Sequence, residues 1–163
     1  MHRINLFTAE VGFDDDDPDG YHTAYARLGP ALGGSMIGGS LYELPPGQSI
    51  CPYHYEWGNE EWLVVVSGRV SLRHPEGEEE LEPGDVICFP AGPEGAHKLT
   101  NGDEVAARLM ILSTKIDPSA SVYPDSGKIG IWPAPGSGDA LIVRQSSGVD
   151  YWDGEIASGP SGD

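Results

Sequence analysis

The stretch that decides the fold runs from Gly47 to Gly68, GQSICPYHYEWGNEEWLVVVSG. A turn, Pro45-Pro46-Gly47, leads into it, and His54 and Glu56 stand two residues apart inside it. Gly58-Asn59 breaks the run, Glu60 and Glu61 follow, and the apolar residues Trp62 to Val66 lead to Ser67-Gly68. Alternate side chains of a strand share a face, so His54 and Glu56 lie together while Tyr55 points away. If Glu61 opens the next antiparallel strand facing inward, three metal-capable groups converge, with Trp62 turned to the core or to an interface. A fourth candidate, His97, lies downstream.

Working outward, the chain reads as short strands punctuated by turns. Arg3 to Phe7 is expected as a short edge strand, Tyr21 to Leu28 as a strand ending at Gly29-Pro30, and Ser40 to Leu44 as the strand before the central stretch. Beyond it come Arg69 to His74, Glu78 to Leu81, Val86 to Phe89, Ala96 to Thr100 and Val105 to Ser113. Turns at Pro75-Glu76-Gly77, Pro83-Gly84-Asp85 and Asn101-Gly102-Asp103 separate them. Turn signals spaced roughly eight to twelve residues apart, with no 3.6-residue apolar period, describe an all-β sandwich or barrel. From Asp117 the chain is rich in Gly, Pro and Ser, with apolar pieces at Lys128 to Trp132, Leu141 to Val143 and Val149 to Trp152. These pieces are expected to pack over the barrel or a partner subunit.

Composition bounds the function. The 163 residues suit one domain with a proper core, and 23 Gly with 14 Pro suit many turns and little helix. The net charge of −17 argues against nucleic acid and anionic membranes as partners, and it serves solubility or tolerance of high salt. Cys51 and Cys88 are too few for a disulfide framework, and no apolar segment resembles a leader or a membrane span. A cytoplasmic location is therefore expected. Asp14 to Asp17 lack the alternating spacing of a calcium loop and read as a solvated charge run. The glycines at 33–34 and 38–39 match no phosphate-binding pattern and read as turns, bulges or close-packing points.

Two motifs, in order, resemble those of the cupin family. The first cupin motif is G-x5-H-x-H-x3/4-E-x6-G. Here Gly47 precedes His54 by one residue more, Glu56 stands where the second His is expected, Glu61 follows after four residues, and Gly68 closes the motif. The second motif is G-x5-P-x4-H-x3-N. Gly84, Pro90, His97 and Asn101 follow it, with two extra residues between Pro90 and His97. The resemblance implies a double-stranded β-helix, or jelly-roll barrel, with short N-terminal strands and an irregular C-terminal extension. One cupin domain would span 1–157, with its barrel core at about 35–116, its extension at 117–157, and a disordered tail at 158–163. A homodimer is implied as well.

The same four residues, His54, Glu56, Glu61 and His97, are the expected ligands of one divalent transition metal ion such as Fe, Mn, Zn or Ni. Two neutral imidazoles and two carboxylates would neutralise it, and such a mixed set leaves the metal's identity to geometry and availability. Proton competition is expected to empty the site as pH falls through the imidazole range, roughly 6.5 downward. Three functions remain open. One is a metal-dependent enzyme, isomerase or dioxygenase, acting on a small polar metabolite. Another is a non-catalytic small-molecule-binding barrel. The third is an Fe(II) oxygenase with a His54, Glu56, His97 triad, in which Arg108 would hold a cosubstrate carboxylate. Asn101 is expected to fix a turn, and His2, His22 and His74 to lie on the surface.

Overall fold

β-branched and aromatic residues alternating with polar ones leave this chain little option but sheet. The computed structural model describes residues 2–134 and 140–155. Thirteen strands occur among them: β1 (Gly12–Phe13), β2 (Ala24–Arg27), β3 (Ile37–Leu44), β4 (Tyr55–Trp57), β5 (Glu61–Ser67), β6 (Val70–His74), β7 (Gly77–Leu81), β8 (Val86–Phe89), β9 (Lys98–Thr100), β10 (Ala107–Thr114), β11 (Ser119–Tyr123), β12 (Lys128–Trp132) and β13 (Leu141–Arg144). The single α-helix among the described residues is α1 (Leu28–Leu32), one short turn around the Gly29-Pro30 break.

All strand pairs are antiparallel. One sheet has the order β1-β2-β3-β10-β5-β8. The facing layer consists of β13-β12-β11-β4 and β7-β6-β9, joined where His54 bridges His97. This double layer is the jelly roll expected from the two motifs. Its core lies between the layers, where the inward residues of β5 and β10, Leu63, Val65, Ala107 and Leu109, are almost fully buried with Leu44 and Leu99. Trp62 faces outward, where its indole donates to Glu60 Oε1 at 2.7 Å.

The two ends of the chain depart from the expectations. Residues Arg3 to Phe7 form no strand; the segment makes a turn through Thr8 and Ala9 that bonds back to the Asn5 carbonyl. The extension beyond 117 is more regular than its Gly and Pro content suggested. β11 pairs with β4, setting Ser121 opposite Glu56, and β12 and β13 add to β11 in turn. The pieces at Lys128 to Trp132 and Leu141 to Val143 are these added strands. β11 itself carries Ser119 and Ser121, which masked its strand character in the sequence. The tail at 158–163 lies outside the described residues.

Asn101, fully buried, locks the turn after β9. Its amide donates to the Leu44 and Val105 carbonyls, each at 2.8 Å, and its Oδ1 accepts from the Asp103 amide. The two extra residues before His97 are absorbed by a 3-10 turn at Pro93–Gly95. A Cβ on Gly95 would sit 1.9 Å from the Pro90 carbonyl oxygen, so the loop closes this tightly only with glycine there.

Candidate metal centre

His54 stands just before β4, Glu61 opens β5, and His97 stands just before β9. The His54–His97 bridge brings the two imidazoles together, with ring centroids 4.8 Å apart. Glu61 reaches in from the opposite sheet, its Oε2 lying 3.5 Å from His97 Nε2 and 4.0 Å from His54 Nε2. The ligand-capable atoms of these three residues fall within 4.8 Å of one another.

Both ring orientations are set by the backbone. His54 Nδ1 lies 3.0 Å from the Pro52 carbonyl and His97 Nδ1 lies 2.9 Å from the Gly95 carbonyl. A carbonyl only accepts, so each Nδ1 carries the proton and each Nε2 keeps a lone pair aimed toward Glu61. That tautomer is the one metal-ligating histidines adopt. Two metal–ligand bonds of about 2.1 Å span up to ~4.2 Å, so Glu61 Oε2 can share an ion with either imidazole, and the whole set, within 4.8 Å, holds one ion once its widest pair draws in by a few tenths of an ångström. The residues fit a divalent metal. Phe89 stacks on His97 at 3.7 Å, and Tyr123 lies nearly parallel to His54 at 5.9 Å, which fixes the rings further.

The electrostatics describe a largely buried carboxyl that keeps its proton between two neutral imidazoles. Burial, together with the charge of Glu56, pushes the Glu61 carboxyl up to about 8. Burial and the neighbouring His54 push His97 down to about 4, and burial also lowers His54. Cys51, whose sulfur lies 3.5 Å from His54 Nδ1, is pushed up to about 12 by burial first and Glu61 second, so it stays a thiol.

Of the four expected ligands the structure gathers three. Glu56 faces the same interior but is not part of the cluster. It accepts from Ser121 Oγ at 3.3 Å, and Ser121 in turn accepts from Trp132 Nε1 at 2.9 Å. Arg108 lies on the other face of β10. Its guanidinium donates to the Phe7 and Ala9 carbonyls and sits 3.8 Å from Glu43, tying the N-terminal turn to the sheet. It does not line the cavity beside the cluster. Cys88 faces outward and is exposed.

That cavity encloses about 490 Å³ and is walled by Tyr25, Tyr42, Ile50 and Ile111 as well as the three clustered residues. A second space of about 360 Å³ lies beyond His54, with Glu56, Ser121, Tyr123 and Trp132 on its wall. Ser121, Tyr123 and Trp132 went unnoticed in the sequence because they belong to the extension. Only the β4–β11 pairing, a contact across more than sixty residues of chain, brings them to the site.

Two antiparallel layers closed around two histidines and a carboxyl group define a jelly-roll barrel with a metal-competent interior. Residues 40–113 match the family model of the cupin domain, Cupin_2. The protein has the cupin fold. A protein of Silicibacter pomeroyi described as a sugar phosphate isomerase from a cupin superfamily is 26% identical, with 93% of this chain and 98% of that chain covered and a TM-score of 0.77. A protein of Acidithiobacillus ferrooxidans, provisionally described as a sugar phosphate isomerase, is 21% identical over 89% of this chain and 91% of that chain, with a TM-score of 0.79. The polyketide cyclase RemF of Streptomyces resistomycificus is 22% identical over 73% and 83% of the two chains, with a TM-score of 0.59. No curated protein matches the sequence.

Proposed function

We propose that this cupin is a metal-dependent enzyme that isomerises a small polar metabolite, with His54, Glu61 and His97 holding one divalent transition metal ion. The observation that carries the reading is the orientation of the two imidazoles. Both Nδ1 protons are committed to backbone carbonyls, leaving two Nε2 lone pairs and the largely buried Glu61 carboxyl group converging at the wall of the cavity. The similarity to the Silicibacter pomeroyi protein favours isomerisation over the other cupin chemistries.

When bound, the ion supplies Lewis-acid polarisation of a substrate oxygen. The protein's own residues do the rest. Tyr42, Ile50 and Ile111 wall the cavity beside the site, and Glu56, held by Ser121 in the second space beyond His54, is the carboxylate left to carry a proton there. Glu56→Gln should therefore leave metal affinity within about threefold while activity falls by at least tenfold. A loss of metal affinity as large as that of His97→Ala would instead make Glu56 a ligand. The direct test is metal analysis of the purified protein, followed by turnover of aldose and ketose substrates by stripped and reloaded enzyme. Equal turnover in both states would overturn the reading.

One observation favours a second reading. Two histidines and one carboxylate are also the ligand set of non-haem Fe(II) oxygenases. Metal-dependent O2 consumption without isomerisation would select it. Its 2-oxoglutarate form lacks support here, because Arg108 is engaged with Phe7 and Ala9 away from the cavity. To the same proposal belong a homodimer and a cytoplasmic site of action. Both cysteines are free, which suits a reducing compartment, and no helix among the described residues is long and apolar enough to cross a membrane.

A further inference from the structure

The chain holds only nine Lys and Arg against 26 Asp and Glu. Most of these cations are engaged. Arg69 pairs with Glu80 and Glu82, Arg73 with Asp125, and Arg108 with Glu43. Lys98 and Lys128 lie over the rings of Tyr21 and Tyr123, and Arg144 donates to the Ser126 carbonyl. Arg27 and Lys115 make no ion pair and no side-chain hydrogen bond among the described residues. Both line the cavity that holds His54, Glu61 and His97, and Lys115 also lines the space beyond His54.

The register explains how they meet. β3 lies between β2 and β10, with Arg27 opposite Ser40 and Thr114 opposite Ile37. Arg27 therefore closes the inward face of β2, and Lys115 continues the inward face of β10. The two cations flank the Gly38–Gly39 stretch from either side. Gly38 does more than bend: a Cβ there would lie 2.9 Å from Lys115 Cδ and 3.0 Å from Ser113 Oγ. The bare backbone is the bed on which the lysine stem rests. Glu61 sits in the same row, opposite Ser113 across β5 and β10. Arg27 lies three strand spacings from Glu61 and two residues further along β3, about 16 Å of backbone, which the arginine side chain shortens by well over a third. Asp17, on the loop before β2, lines the cavity too and pairs with neither cation.

We infer that the cavity takes a small phosphomonoester, held at its phosphate by Arg27 and Lys115 and presented with its other end to the His54, Glu61, His97 cluster. Two cations match a dianion, and the arginine fork suits phosphate oxygens. In a chain of net charge −17, leaving two cations unpaired in one cavity has no value for folding, whereas an anionic ligand needs such a local reversal of potential. The inference rests on the reading of this cavity as the substrate site, and it names the class of substrate.

The test is calorimetric titration of the metal-stripped protein, at low salt, with glucose 6-phosphate, glucose, gluconate and inorganic phosphate. Glucose 6-phosphate and phosphate should bind, and glucose should not. Arg27→Ala and Lys115→Ala should each weaken the binding of glucose 6-phosphate by about tenfold or more, and Arg27→Glu should abolish it. Gly38→Ala should weaken it several-fold by displacing the lysine stem, and Arg69→Ala should leave it unchanged. Gluconate bound as tightly as glucose 6-phosphate would overturn the phosphate assignment. Equal affinity in the wild type and the Arg27→Ala/Lys115→Ala double variant would overturn the clamp. Both cations lie at the surface, so folding of the variants is not at issue. Zinc titration of the same samples judges the metal reading separately: zinc uptake without phosphate binding fails only this inference, and phosphate binding without zinc uptake fails only the metal.

Discussion

At the scale of single residues, the pH behaviour of the site turns on Glu61. In the metal-free protein its carboxyl, pushed up to about 8, stays protonated where the unfolded chain has already ionised. Its contribution to stability is full below the ordinary carboxylate value and is lost as pH rises through about 8. His97, pushed down to about 4, acts in the opposite sense: its contribution is present above about 6.5 and is lost as pH falls toward 4. Between pH 6.5 and 8 only the Glu61 slope remains. The stripped protein should lose roughly 1–2 kcal/mol across that interval in urea denaturation, and Glu61→Gln should flatten the loss. Stability that climbs from pH 6.5 to 8 would refute this. The same proton is the one a metal must displace, so affinity should rise by up to about tenfold per pH unit over the interval. The sequence suggested an imidazole limit near pH 6.5. Burial moves the imidazoles below that and makes the carboxyl the competitor.

At the scale of elements, the turn after β9 carries more than its surface position suggests. Asn101→Ala would leave the Leu44 and Val105 carbonyls without donors in a buried setting, at a cost of about 2–3 kcal/mol. Equilibrium denaturation should show it, and Asn101→Asp should rescue little because an ionised carboxylate cannot donate. A change below about 0.5 kcal/mol would mean that water replaces the amide. Asn101 was legible in the sequence as a turn residue, and the strands between Arg69 and Phe89 were legible to within a residue, because Gly and Pro mark each end. The histidines and Glu61 could be read because they sit on fixed spacings within two motifs. Glu56 could not be placed by spacing. Its parity was right, and what turns its carboxylate toward Ser121 is a strand 65 residues later. Arg108 shows the same limit: β10 is long enough that one residue of parity decides between cavity and outer face, and its acceptors at Phe7 and Ala9 lie about a hundred residues earlier.

At the scale of the whole molecule, the added strands leave one apolar row uncovered. Trp57, Ala120, Ile131 and Leu141 stand side by side across β4, β11, β12 and β13, and the three large ones are 49%, 40% and 51% exposed. In a strongly acidic chain a row without charge is where two copies can approach without repulsion, and a second copy is the occupant it suits. Size exclusion with light scattering should give twice the chain mass, and Ile131→Lys with Leu141→Glu should give the monomer with its sheet signal intact. A wild-type monomer at micromolar concentration would dismiss the dimer. The β4–β11 pairing also bears on how the protein is made. During synthesis His54, Glu61 and His97 all emerge before the strand that covers the flank of β4. Until residues 119–123 arrive, β4 offers the growing chain a bare hydrogen-bonding edge. A message cut short after the second motif would therefore encode every candidate metal ligand and still yield a product prone to clump with its siblings, so that a nonsense change there would resemble a toxic gain more than a simple loss.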